Sequence, residues 1–106
     1  MDERQRLKEL LLEKSYRQGT FTLTSGKTSD FYVDGKQTTL DAEGGYLCGR
    51  FLFQLNRQQP ETIMGVGGMT LGADPLVTAV SVVSYREQSP LPVFIVRKEA
   101  KGHGTG

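Results

Sequence analysis

Apolar positions along the chain change period several times, and each change predicts an element. Over residues 2–17, Leu7, Leu10, Leu11 and Tyr16 recur at helical spacing, and Asp2–Arg6 and Glu13–Arg17 stand four apart with the acid first. That arrangement supports an amphipathic helix, with Gly19 as its expected stop. From residue 21 the period shortens. Phe21, Leu23, Phe31 and Val33 alternate with polar residues around Ser25-Gly26-Lys27-Thr28, which predicts two short strands joined by a turn. A second helix is predicted over residues 41–56, with Cys48, Phe51, Leu52 and Leu55 on one buried face. Gly44, Gly45 and Gly49 lie inside it and weaken it by up to about 1 kcal/mol each relative to alanine. They make sense where another backbone approaches closely.

Residues 62–66 read as a short buried strand, followed by Gly67-Gly68-Met69-Thr70-Leu71-Gly72 and then Ala73-Asp74-Pro75. Asp74 is the expected N-cap and Pro75 the expected first helical residue. A helix over residues 74–87 turns Leu76, Val77, Val80 and Val83 inward, and residues 88–92 form a polar, proline-punctuated loop. Val93, Phe94, Ile95 and Val96 are an uninterrupted apolar run, the pattern of a parallel strand covered on both faces. Strand, helix and strand make a right-handed βαβ unit. Its functional loops belong beyond the carboxyl ends of the strands. The fold class is therefore α/β, with an antiparallel hairpin appended in front of a parallel sheet.

Composition narrows the function classes. The 106 residues carry 13 Lys and Arg against 12 Asp and Glu, a net charge of +1, without the broad basic excess of a general nucleic-acid binder. Cys48 is the single cysteine, so no intrachain disulfide forms and a reducing compartment is expected. On the helical face Cys48 reads as packing, since no cationic neighbour in sequence would lower its pKa. No apolar run approaches the ~18–20 residues needed to span a bilayer, and no signal peptide is legible at the N-terminus. A cytoplasmic protein is expected.

Two stretches carry candidate chemistry. The glycine-rich turn over residues 67–72 fits neither G-x-G-x-x-G nor a P-loop, which would need a lysine after Gly72. Its exposed amides could hold a phosphate oxygen, or the glycines could serve only a tight strand-to-helix connection. After Val96 the chain turns cationic within one residue: Arg97, Lys98, Lys101 and His103 are interleaved with Gly102, Gly104 and Gly106. Cationic donors on a glycine-hinged backbone suit a lid over a polyanion, pyrophosphate above all. A solvated basic loop or tail is the other reading. Both stretches start at the carboxyl ends of parallel strands, so the two candidate phosphate contacts face one crevice.

Three strings in this chain resemble the orotate phosphoribosyltransferases. Arg97-Lys98-Glu99-Ala100-Lys101-Gly102-His103-Gly104 is similar to their catalytic loop, R-K-x-x-K-x-H-G. Phe21-Thr22-Leu23, Ser25-Gly26, Ser29 and Phe31-Tyr32 resemble the hood that lies over the pyrimidine. The run Val66-Gly67-Gly68-Met69-Thr70-Leu71-Gly72-Ala73-Asp74-Pro75 resembles the loop on the pyrophosphate end of the cosubstrate. The resemblance implies a type I phosphoribosyltransferase fold, a parallel sheet flanked by helices. Residues 1–38 would be the N-terminal helix and hood, and residues 39–106 the first part of the core, ending in a mobile catalytic loop. It implies transfer of the phosphoribosyl group of phosphoribosyl pyrophosphate to orotate, giving orotidine 5′-phosphate and pyrophosphate in de novo pyrimidine synthesis. The implied cofactor is Mg²⁺, with no ligand assigned from this chain. The implied assembly is a homodimer whose loop reaches the neighbouring subunit's site, with no nucleic-acid or membrane partner.

Carried over residue by residue, Lys101 and His103 are the catalytic candidates. Arg97, Lys98, Lys101, His103 and Gly72 would bind phosphoribosyl pyrophosphate, and Ser25, Phe31 and Tyr32 would lie near orotate. Thr24 and Gly72 stand where some relatives carry lysines, so those lysines' roles do not transfer. The family's phosphoribosyl pyrophosphate motif, two acidic residues and a Thr/Gly-rich loop after a hydrophobic strand, matches nothing in these residues. The sheet is therefore expected to be incomplete, the chain to be the N-terminal part of a longer enzyme, and the isolated polypeptide to show no turnover. The alternatives are a non-catalytic phosphate- or nucleotide-binding module of the same fold and a structural α/β fragment.

Overall fold

The structure is a computed structural model that describes residues 2–99. The chain divides into two compact units, Met1–Gly44 and Gly45–Gly106.

The first unit opens with helix α1 (Glu3–Leu10), capped by the Asp2 carboxylate, which accepts the Arg4 amide. The helix is shorter than the expected residues 2–17. After Leu10 the chain widens into a π-helical stretch, Leu11–Ser15, and at Tyr16 becomes strand β1 (Tyr16–Thr22). Two contacts of Ser15 account for the exit. Its buried hydroxyl bonds the buried Thr38 hydroxyl at 2.6 Å, and its carbonyl accepts the Asp34 amide at 2.9 Å. Arg17 therefore lies on a strand, and the helical pair expected with Glu13 has no helix to form on. Arg6 engages Glu43 through two 2.8 Å hydrogen bonds.

Strand β1 pairs antiparallel with β2 (Thr28–Val33), which bears out the expected hairpin; β1 begins earlier than its alternation showed. Gly19 is not a helix stop. It sits with φ 145° between Gln18 and Phe21, where the register shifts. That backbone favours glycine and suits a bulge. The turn is closed by the Leu23 amide on the Lys27 carbonyl (2.8 Å) and the Gly26 amide on the Leu23 carbonyl (2.9 Å). A short helix α2 (Lys36–Thr39) leads to Asp41, whose carboxylate caps α3 (Ala42–Arg57) by accepting the Gly44 amide at 2.9 Å.

In the second unit Phe53, Val80, Val83 and Leu91 form the buried cluster, with Ile63 and Val66 packed against it. The buried positions of α3 differ from the expected stripe. Leu47 and Phe53 are buried, Leu52 and Leu55 are exposed, and Cys48 is half-buried, its thiol pushed up by burial. Close backbone contact decides this. A Cβ on Gly49 would meet the Ala79 backbone at 2.8 Å, so α3 and α4 (Asp74–Arg86) meet through glycine rather than through a leucine row. On α4, Val77, Val80 and Val83 are buried as expected. The loop after it is pinned to the helix: Ser81 donates to the Leu91 carbonyl (2.7 Å), and buried Ser84 accepts the Leu91 amide (2.9 Å).

Strand β3 (Val66–Met69) runs parallel to β4 (Val93–Val96), with Gly67 opposite Phe94 and Gly68 opposite Ile95. The strand expected over 62–66 thus starts four residues later and ends three later, and Gly67 and Gly68 belong to the strand rather than to the turn. Phe94, Ile95 and Val96 are 57%, 54% and 39% exposed, against the expectation of a strand covered on both faces. Among the described residues β4 has one neighbouring strand, and the sheet is incomplete. No helix among the described residues is long and apolar enough to cross a membrane.

Candidate functional site

The turn between β3 and α4 is shaped by what its two strand glycines leave out. The Phe94 ring occupies the place where a Cβ on Gly67 would stand, and a Cβ on Gly68 would lie 2.5 Å from that of Ala73. Larger residues would push the turn off the strand. The turn closes through the Ala73 amide on the Met69 carbonyl (3.0 Å) and the Asp74 amide on the Leu71 carbonyl (3.1 Å). The Thr70–Leu71 peptide is cis. At the crest Leu71 is 81% exposed, and a Cβ on Gly72 would meet nothing within 4 Å. The crest is therefore open to a ligand.

Asp74 is not the N-cap. Ala73 takes that position, and Asp74 opens the helix ahead of Pro75. Its carboxylate accepts the Thr70 hydroxyl at 2.6 Å through Oδ2, while Oδ1 is buried without a hydrogen-bond partner. A carboxylate in the first turn already answers the positive end of the helix dipole. The turn's own peptide groups, rather than the terminus of α4, are thus left for an anion.

The Thr70 amide donates to the Val96 carbonyl at 2.9 Å. The turn and the segment beginning at Arg97 therefore leave adjacent parallel strands at the same end. Arg97 and Lys98 are exposed there. Lys101 and His103 lie outside the described residues. A phosphate between the turn and Arg97 would meet donors and positive charge together.

In the first unit, Ser25 and Tyr32 line one open groove of about 660 Å³ with Phe21, Thr22, Leu23 and Thr24. Tyr32 leans on Phe21, with ring centroids 5.7 Å apart. Phe31 does not line this groove. Neighbouring strand residues alternate faces, and Phe31 stacks on Tyr16 at 5.9 Å and 21° between planes. The structure thus brings Ser25 and Tyr32 together and sets Phe31 on the opposite face. Sequence reasoning missed Thr70; a hydroxyl four residues ahead of an acidic helix start was the signal available.

No protein-family model matches the sequence. Individual proteins do. The orotate phosphoribosyltransferase of Thermosynechococcus vestitus is 54% identical over 105 residues, 98% of this chain and 53% of that protein. That of a Nostoc species is 51% identical over 102 residues, 96% of this chain and 48% of its own length. Among solved structures, Mycobacterium tuberculosis orotate phosphoribosyltransferase in complex with 5-phospho-alpha-D-ribosyl 1-diphosphate superposes with a TM-score of 0.72. It is 34% identical, and the match covers 97% of this chain and 58% of that one. The chain spans about half the length of the curated relatives it matches. Over nearly its whole length the chain is similar in sequence and fold to about half of an orotate phosphoribosyltransferase, and its fold is that of the type I phosphoribosyltransferases.

Proposed function

We propose that this chain is the part of an orotate phosphoribosyltransferase that binds orotate and the pyrophosphate end of phosphoribosyl pyrophosphate, in de novo pyrimidine synthesis in the cytoplasm. The observation that carries the reading is the shared exit of the glycine turn and the cationic segment, joined by the Thr70–Val96 hydrogen bond of 2.9 Å. The relative solved with phosphoribosyl pyrophosphate supports the choice of cosubstrate.

In the transfer, the ribose bond to pyrophosphate breaks as the bond to orotate forms. The ribose acquires oxocarbenium character and negative charge grows on the leaving group. Arg97, Lys98, Lys101 and His103 offset that charge, and the turn at Gly72 contributes backbone donors. Ser25 and Tyr32, on the groove side of the hairpin, contact the pyrimidine, while Phe31 on the opposite face packs on Tyr16. The assembly is a homodimer in which the segment after Lys98 serves the neighbouring subunit. Magnesium is the implied cofactor. Among the described residues no three His, Cys, Asp or Glu side chains gather as a metal-ligating group, and no step here runs through the metal. Because the 106 residues contain no phosphoribosyl pyrophosphate motif, turnover belongs to the full-length protein and not to this polypeptide alone.

Orotate-dependent pyrophosphate release by the full-length protein tests the reading. Lys101→Ala is expected to abolish most of kcat. Binding of phosphoribosyl pyrophosphate with no transfer to orotate in the parent protein would favour a non-catalytic phosphate-binding module instead.

A further inference from the structure

We propose that Thr70 and Asp74 form a positioning pair that holds the glycine turn at the root of the cationic segment. The inference rests on the reading of that turn as the pyrophosphate contact.

Thr70 is bonded on two sides. Its amide reaches Val96 at the end of β4, and its hydroxyl reaches Asp74 Oδ2 at 2.6 Å at the start of α4. One residue thus ties together the three elements that frame the turn: β3, from which it follows, the neighbouring strand and the helix. The hydroxyl bond has a charged acceptor, the stronger kind. The crest at Leu71 and Gly72, next in the chain, stays open.

The sign of the charge makes this more than a structural link. A carboxylate beside an anion site opposes the ligand unless it is held back from it. Asp74 Oδ1 is buried, so that oxygen is shielded from solvent while Oδ2 holds the threonine. Were Asp74 only a neighbouring negative charge, its removal would strengthen binding of an anion. As a positioning group, its removal frees the Thr70 hydroxyl and loosens the turn, and binding weakens. The two roles predict opposite signs.

The test is calorimetric titration of inorganic pyrophosphate into the full-length protein, with melting temperatures measured in parallel. Thr70→Val and Asp74→Ala break the same hydrogen bond from its two ends. Each is expected to weaken pyrophosphate binding about tenfold, in line with a hydrogen bond to a charged group, and Thr70→Ser is expected to restore most of the loss. If one variant fails to fold, the other still breaks the bond. Tighter binding by Asp74→Ala overturns the proposal. So does a lowered melting temperature with unchanged pyrophosphate affinity in either variant. Absence of pyrophosphate binding by the parent protein overturns the site reading itself, a distinguishable result.

Discussion

The amide of Thr70 donates to the carbonyl of Val96 at 2.9 Å, so the turn after β3 and the segment after β4 start from a single hydrogen bond. One residue beyond Val96 stands Arg97, and two beyond Thr70 stands Gly72. Substituting Arg97 and Lys98 together by alanine is expected to raise KM for phosphoribosyl pyrophosphate at least tenfold at low salt. The difference is expected to shrink in 0.5 M salt, because both side chains are exposed and screened. Steady-state kinetics at two ionic strengths check it; a salt-independent defect would point away from charge.

On the hairpin, Tyr32 faces the groove with Ser25, whereas Phe31 faces Tyr16. Tyr32→Ala is therefore expected to raise KM for orotate more than Phe31→Ala does. The reverse order in initial-rate measurements would place the pyrimidine on the other face.

Gly49 sets how closely α3 and α4 approach. Alanine there gains up to about 1 kcal/mol of helix propensity. Its methyl would stand 2.8 Å from the Ala79 backbone, which cannot turn aside as a flexible side chain can. The clash wins: Gly49→Ala is expected to destabilise by about 1–3 kcal/mol in urea unfolding.

The Ser15–Thr38 pair is buried on both sides and bonded at 2.6 Å. Ser15→Ala or Thr38→Val alone strands a buried hydroxyl, at a cost of about 1–3 kcal/mol. The double variant strands none, so its loss is expected to be smaller than the sum of the two single losses. Additive losses in that cycle would mean the hydroxyls do not depend on each other.

Acid weakens the first unit through two carboxylates. The hydrogen bond from Arg6 holds Glu43 below its ordinary value of 4.5, and the Gly44 amide, with Lys14, lowers Asp41 from 3.8. Folded pKa values below the unfolded ones contribute stability that is present above the unfolded pKa. It is lost as pH falls through the lowered folded values. Melting temperature is therefore expected to fall below about pH 4.5, and Glu43→Gln to make that fall shallower. An unchanged acid slope would remove Glu43 from the account.

Much of this was legible from residue pattern, and the exceptions share a cause. The hairpin, the span of α3, the inward valines of α4 and the parallel strand pair follow from periodicity and turn chemistry. The end of α1 does not, because Ser15 leaves the helix for a partner 23 residues away. Nor does the placement of β3. Gly67 and Gly68 read as a loop until Phe94 and Ala73 are seen filling the space their side chains would take. The buried positions of α3 follow glycine contacts, which a count of apolar residues ranks last. The apolar run of β4 signals a strand, but the partners that would cover it are not among the described residues. At the site, cationic residues were visible in sequence, whereas the Thr70 link depends on two strands coming together.

The central claim is that the turn and the cationic segment make one anion site. Backbone amide chemical shifts followed during titration with pyrophosphate test it most directly. The account predicts that Leu71, Gly72, Arg97 and Lys98 shift together and saturate with one dissociation constant. Saturable shifts confined to one of the two segments, or drifts without saturation at both, would contradict it.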